Sequence, residues 1–348
     1  MSGQERLGPL NLLVRATGTF VGSVLGGRPV QAIYYLTYQC QSRCVYCDIR
    51  RQGGAMAETA EVVRNIEAIR DLGVRFISFT GGEPLLHPDL PALLASAKQN
   101  GLRTTLITNG LLYARRAHEL TGLIDDLEFS LSTVSREAYR KERGIDALPE
   151  VVRGLELAVS RGEPVSILAT VSDGQISELP ALTEFARSLG VMCILGPVYG
   201  YFGNDPFPPQ EAHRLSGACR CPGVWMNQAF LAFLRGGGNR TGAPSCGALR
   251  TTLAISPEGD LLAPCYHHLL ESMPIRGRLR ELLHSRRVQE LRKDVGRWPF
   301  CEGCHIFCYF EGAFLKPFHR LFLLDAWSRI RWLLIQRRLE RGRRTRSS

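Results

Sequence analysis

A chain of 348 residues, 45% hydrophobic and 22% charged, is long enough for one large domain and a smaller one, and this composition excludes disorder over most of its length. The net charge of +10 is a property of the tail: Arg337, Arg338, Arg341, Arg343, Arg344 and Arg346, less Glu340, put half of it in the last dozen residues, so a basic nucleic-acid-binding fold is not its source. Eleven cysteines, an odd number without an evident export signal, argue against a disulfide framework and for metal-bound thiolates in a reducing cytoplasm, and no uninterrupted apolar run reaches the roughly 18 residues of a spanning helix.

Residues 1–29 hold an apolar stretch, Leu10 to Leu25, that Arg15 interrupts and Gly and Thr dilute; it reads as an amphipathic segment, not a signal peptide. Residues 30–200 alternate strand-like and helix-like runs. Ala32 to Thr37 is a strand, and Glu61 to Leu72 a helix with Val62, Val63, Ile66, Ile69 and Leu72 on one face. Arg75 to Phe79 is a strand leading into Thr80-Gly81-Gly82-Glu83-Pro84, Leu90 to Ala97 a helix, and Thr104 to Thr108 a strand ending at Asn109-Gly110. Leu127 to Leu131 is a strand, Pro149 to Ser160 a helix, Val165 to Val171 a strand, Leu179 to Leu189 a helical stripe, and Val191 to Leu195 the last strand of the series. Six strands alternating with helices over short connections predict an α/β fold with βαβ crossovers, whose ligands sit at the carboxyl ends of the strands.

Residues 201–245, rich in Gly, Pro and polar residues, read as an irregular connector. Thr251 to Ile255 and Leu261 to Ala263 flank a Pro/Gly turn as a β-hairpin within 246–312, and Leu279 to Leu291 reads as a helix. Residues 313–348 are an amphipathic helix, from Ala313 to Leu339, and an arginine-rich end.

Chemistry concentrates in two cysteine groups. Cys40-Gln-Ser-Arg-Cys44-Val-Tyr-Cys47 follows the first strand directly, so three thiolates on one loop can converge on a single metal group. A 4Fe–4S cluster usually takes four cysteines, and three leave one iron open to a further ligand. A zinc ion completed by a distant ligand is the alternative. The spacing Cys-x3-Cys-x2-Cys, with an aromatic residue before the last cysteine, together with Gly81-Gly82-Glu83-Pro84 after the second strand, resembles the radical S-adenosylmethionine (SAM) superfamily over residues 30–200. The resemblance implies a partial (β/α)6 TIM-like barrel, a 4Fe–4S cluster on Cys40, Cys44 and Cys47, and reductive cleavage of SAM to a 5′-deoxyadenosyl radical that abstracts hydrogen from a substrate. It places Tyr46 near the adenine, Gly81, Gly82 and Pro84 against the cofactor, and Glu83 on the methionine amino group. It also puts Ser130, Asn109 and Arg143 in contact with SAM. Where the family has an aspartate after that serine, this chain has Ser132.

Cys246, Cys265, Cys301, Cys304 and Cys308 form the second group. With the hairpin between the first two, they resemble the SPASM/twitch extension of that superfamily, a small cysteine-rich α+β unit. The resemblance implies one auxiliary 4Fe–4S cluster, on Cys246, Cys265, Cys301 and Cys304 with Cys308 as the alternative ligand; a structural zinc site is the other reading. Cys193, in an apolar strand, reads as a core thiol.

Two substrate classes fit. A hydrophobic or lipid-like small molecule is favoured by the amphipathic ends; a ribosomal peptide is the alternative, with only about 30 residues before the barrel to hold a recognition domain. A non-catalytic Fe–S or zinc protein is the reading from a different class. The partners expected are an electron donor such as flavodoxin or ferredoxin and the inner membrane face as a peripheral site, with no nucleic acid.

Overall fold

A computed structural model describes residues 28–200, 207–315 and 319–344. The apolar stretch Leu10 to Leu25 and Arg346 lie outside the described residues.

Seven strands run parallel in chain order: β1 (Gln31–Tyr35), β2 (Phe76–Thr80), β3 (Arg103–Thr108), β4 (Asp126–Ser130), β5 (Val165–Val171), β6 (Met192–Pro197) and the short β7 (Val224–Trp225). The crossovers carry α1 (Thr59–Asp71), α2 (Leu90–Gln99), α3 (Tyr113–Leu120), the pair α4 (Arg136–Arg143) and α5 (Leu148–Ser160), and α6 (Leu179–Leu189). This is the partial TIM-like barrel. One side of each strand meets the helices: Tyr34, Ile77, Phe79, Leu106, Leu127 and Phe129 are completely buried in one core with Val62, Ile66, Leu93, Leu94, Val151 and Leu155. The alternate positions of β1, Ile33 and Tyr35, turn to the other side and join a separate apolar cluster.

The hairpin is part of the same sheet. β8 (Thr252–Ile255) pairs in parallel with β1, Gln31 opposite Thr252, on the side away from β2. β9 (Asp260–Pro264) and β10 (Leu269–Pro274) follow antiparallel, giving the order β10-β9-β8-β1-β2-β3-β4-β5-β6-β7. The cysteine-rich extension therefore continues the barrel sheet beyond its first strand.

The stretch expected to be an irregular connector holds α7 (Ala212–Ala218), β7 and α8 (Gln228–Arg235). The eight residues of α8 bury Ala229, Phe230, Leu231, Phe233 and Leu234, nearly all round, so no one-sided stripe marks it in the sequence. The helix expected over Leu279 to Leu291 is two, α9 (Leu279–His284) and α10 (Arg286–Asp294), broken at Ser285. That residue has extended backbone geometry, and its hydroxyl accepts from the Val288 N–H, which starts a new helix. The amphipathic pattern from Ala313 is likewise divided between α11 (Phe307–Phe314) and α12 (Phe322–Arg344).

Candidate active site and second cysteine cluster

The carboxyl ends of β2, β3, β4 and β5, through Thr80, Thr108, Ser130 and Thr170, open onto one cleft. Cys40, Cys44, Cys47, Tyr46, Gly81, Gly82, Asn109, Ser130 and Arg143 all line it, so the structure collects there nine of the residues singled out in the sequence. Two of those singled out beside them, Glu83 and Pro84, do not line it. Pro84 is buried at the start of a 3-10 turn, and Glu83 is completely buried.

Backbone hydrogen bonds stitch the loop after β2 to the approach to the first cysteine. Gly82 N donates to Thr37 O at 2.6 Å and Glu83 N to Gln39 O at 2.8 Å. A Cβ on Gly81, whose φ is +134°, would overlap the Thr37 carbonyl, and one on Gly82 would overlap the Gln39 carbonyl. The glycine pair is required by this close approach of two backbone segments of the protein itself.

Glu83 is engaged by the protein itself. Its carboxylate accepts from the Thr108 hydroxyl at 2.7 Å, Asn109 N at 2.7 Å and Leu85 N at 3.0 Å. Burial pushes its pKa up to about 7, against the pull of those three donors. It ties the end of β2 to the end of β3 and so fixes Asn109, whose Nδ2 lies 3.7 Å from the Cys40 Sγ.

The cysteine loop is held from the other side by α4. Arg43 N donates to Arg143 O at 2.7 Å and Val45 N to Glu142 O at 2.9 Å. Arg143 is only 4% exposed. Its Nη1 points at the Cys44 Sγ at 3.6 Å, its Nη2 donates to Ser130 O at 3.0 Å, and its guanidinium lies 5.7 Å from the centre of the Tyr46 ring. Glu142, not singled out in the sequence, organises this corner. It pairs with the Arg143 Nε at 3.0 Å, accepts from the Tyr46 hydroxyl at 2.9 Å and accepts from the Gln175 amide. The buried charge of the arginine is thus met by a buried carboxylate. Ser132 is buried with its hydroxyl unpartnered.

The donor set fits a metal group. Burial raises the thiols of Cys40 and Cys47 to about 11 each, and neighbouring acidic groups, including the Cys44 thiol, add to the rise at both. Such thiols gather without ionising until a cation compensates them. Among the described residues no three Cys, His, Asp or Glu side chains converge closely enough for one ion; an iron–sulfur cube, being larger than an ion, holds its thiolates further apart.

The second group comes together from three separate segments, with Cys246 before β8, Cys265 after β9, and Cys301, Cys304 and Cys308 around the start of α11. Burial raises Cys246 well above its ordinary range, with charge contributions from Cys304, Cys265 and Cys301; Cys265 rises to about 12 by burial and then by Cys304 and Cys301 among its neighbours. Cys308, also raised chiefly by burial, feels Cys265, Glu311 and Cys304. Asn239, from the supposed connector, clamps the group. Its Nδ2 donates to Gly296 O at 2.8 Å and Cys301 O at 3.0 Å, and its Oδ1 accepts from Ser245 N at 3.0 Å. Its backbone exchanges bonds with Cys304 O and Gly303 N.

Between the two groups lies the apolar cluster on the second side of β1. Tyr35 and Tyr266 stack with ring centres 4.3 Å apart, beside Ile33, Tyr38, Ile49, Ala254 and Leu262. Cys47 and Cys308 both pack against it. On β4, Glu128 lies one pleat below Ser130 on the same face, and burial, then the charges of Asp126 and Glu311, push it up to about 8. Neither Glu128 nor Glu142 belongs to a motif, and only the strand alternation that places Glu128 with Ser130 could have pointed to the first.

A sequence model described as the radical SAM superfamily matches residues 34–185. A probable GTP 3′,8-cyclase of Methanopyrus kandleri is 37% identical over 164 residues, 45% of this chain and 53% of that protein. Another, of Saccharolobus solfataricus, is 31% identical over 172 residues, 47% of this chain and 56% of that protein. The chain thus spans about half the length of these curated relatives. Among solved structures, Streptococcus suis SuiB bound to S-adenosylmethionine superposes with a TM-score of 0.60 at 18% identity, over 74% of this chain and 65% of that one. The protein anSMEcpe with bound AdoMet does so with a TM-score of 0.60 at 15% identity, over 91% of this chain and 100% of that one. At these identities the likeness is one of fold.

Proposed function

The chain belongs to the radical SAM superfamily through residues 34–185, and from that premise we propose that it cleaves SAM reductively at a 4Fe–4S cluster held by Cys40, Cys44 and Cys47. The 5′-deoxyadenosyl radical so produced would take a hydrogen atom from the substrate. The observation that carries this reading is the convergence of three thiols, a glycine pair and the ends of four parallel strands on one cleft. When bound, the cluster supplies the electron that breaks the sulfonium carbon–sulfur bond.

This chain's own residues bind and orient. The guanidinium of Arg143 lies beside the Cys44 Sγ and holds that side of the cysteine loop. Asn109 faces Cys40, Ser130 and Tyr46 line the wall for SAM, and Glu83 keeps the β2 and β3 ends in register. Cys246, Cys265, Cys301 and Cys304 hold an auxiliary cluster, with Cys308 as the alternative ligand. A flavodoxin- or ferredoxin-type protein supplies electrons.

For the substrate we keep a hydrophobic small molecule. The exposed apolar stripe of Leu323, Trp327, Ile330 and Leu334 on the amphipathic C-terminal helix supports it. A peptide is the second reading, favoured by the shared fold of SuiB, which has also been solved bound to its precursor peptide SuiA. The relatives named as GTP 3′,8-cyclases match over about half their length, so their substrate carries little weight for this chain.

The test is anaerobic reconstitution, reduction and incubation with SAM. The wild-type protein is expected to release 5′-deoxyadenosine; Cys44→Ala is expected to release none while retaining about half the iron, that of the auxiliary cluster. A fully reconstituted wild-type protein that yields no 5′-deoxyadenosine, or cysteines that retain zinc alone, overturns the proposal.

A further inference from the structure

We propose that the outer face of α12 is a docking surface for an anionic lipid bilayer, on which the helix lies flat. This is independent of the radical chemistry proposed above. The inner face of α12 is fixed to the protein. Asp325 and Ser328 are completely buried. Asn227 Nδ2 donates to the Asp325 carboxylate at 2.7 Å, and Trp225 Nε1 donates to Ser328 O at 3.0 Å. Trp332 meets Trp225 edge-on with ring centres 4.7 Å apart, while Ile335 and Leu339 pack against the same cluster of Met192, Ile194 and Trp225. The rotation of the helix is therefore set, and so is the face it turns outward.

That outward face is apolar. Leu323 is 79% exposed, Trp327 55%, Ile330 38% and Leu334 55%. Their spacing of four, three and four residues puts them on one stripe along the helix. Single exposed leucines need no explanation, but four large side chains in a row do. One turn further on, Arg337 and Arg338 are exposed, and the sequence continues with Arg341, Arg343, Arg344 and Arg346.

The charge on this face selects the occupant. From Phe322 to Leu339 the one acid is Asp325, which is turned inward and already paired with Arg329 at 2.7 Å. Arg331 is engaged by the Cys219 carbonyl. Over Phe322 to Leu339 the outward face thus offers hydrocarbon followed by cations, with no exposed anion, and Glu340 is the one acid among the arginines that follow in the sequence. A second copy of this chain would bring the same groups and leave the arginines without counter-charge, because a two-fold interface must complement itself. An anionic bilayer supplies both hydrocarbon at its boundary and negative charge at its surface. Among the described residues no helix is long and apolar enough to cross a membrane, in keeping with a helix that lies along one.

The test is co-sedimentation of the full chain with phosphatidylcholine vesicles, with and without about one-third phosphatidylglycerol. Binding is expected only with the anionic lipid, and to weaken as salt rises. The double variants Leu323→Glu/Trp327→Glu and Arg337→Glu/Arg338→Glu should each lower partitioning at least about tenfold. All four residues are solvent-exposed, so circular dichroism and thermal unfolding should be unchanged. Absence of binding to anionic vesicles at low salt overturns the proposal, as does binding that neither variant weakens. Sedimentation velocity adds a third arm: a dimer dissociated by Leu323→Glu/Trp327→Glu would assign the face to a second copy.

Discussion

The two cysteine groups solve the same problem, gathering buried thiols, by opposite means. The first places its three cysteines within eight residues of one loop, and the fold's work is to hold that loop against strand ends. The second draws its cysteines from three segments between Cys246 and Cys308, and the fold's work is to bring the segments together at all. Asn239 performs much of that task through its side chain and backbone. A group built from one loop tolerates disturbance elsewhere; a group built from several depends on its clamp.

The sharpest way to break this comparison is Asn239→Ala. Its loss orphans the Gly296 carbonyl and the Ser245 N–H and takes one of two donors from the Cys301 carbonyl, so it should destabilise the folded chain by about 3 kcal/mol in denaturant unfolding. The reconstituted variant should hold about half the wild-type iron, yet form 5′-deoxyadenosine from SAM at a rate near that of wild type. If the iron and the 5′-deoxyadenosine fall together, the two regions are a single cooperative unit and the contrast between them is wrong.

The same contrast explains what could be read from the sequence. The strands β1 to β6 were legible because apolar, branched runs bounded by glycine and asparagine persist in a parallel sheet buried on its helix side. The first cysteine loop was legible because its spacing is local. Asn239 was not, since its partners lie up to 65 residues away and asparagine in a Gly-rich stretch looks like a turn residue. Glu142 was hidden in the same way. It sits in the charged octet of α4 and meets Tyr46 across 96 residues. Gly81 and Gly82 line the cleft, and the close approach of their backbone to Thr37 and Gln39 became visible only with the fold. Spacing announced that chemistry was present; the scaffolding contacts, being long-range and chemically ordinary, appeared only with the fold.

A finer probe of the first region is Glu142→Ala. It removes the acceptor of the Tyr46 hydroxyl and leaves the Arg143 guanidinium as an unpaired buried charge. Supporting residues of metal sites typically carry about 10- to 100-fold in affinity or activity, so the apparent affinity for SAM should fall by about that factor. The iron of the second group should be untouched. Glu142→Gln, which keeps an acceptor oxygen for Tyr46 but no charge for Arg143, separates the two contributions: an intermediate loss indicates that both count. Isothermal titration with SAM on the anaerobic protein provides the reading.

The smallest effect concerns Glu128, which lies on the strand beneath the first region and feels the charge of Glu311, three residues beyond Cys308. Its folded-state pKa is raised from 4.5 to about 8, by burial first and by Asp126 and Glu311 after it. The direction of the linkage follows. Below the unfolded value the acid is neutral in both states and costs nothing. As pH rises through the interval between the unfolded value and about 8, the unfolded chain ionises first, and the folded protein loses stability. Glu128→Gln removes this loss. The variant should match the wild type near pH 4.5 and gain on it steadily up to about pH 8, above which the gap stays constant. Urea unfolding across that range measures the gap. A difference that does not change with pH would show that Glu128 is solvated or paired in the folded protein, and that the space between the two cysteine groups is wetter than its aromatic lining indicates.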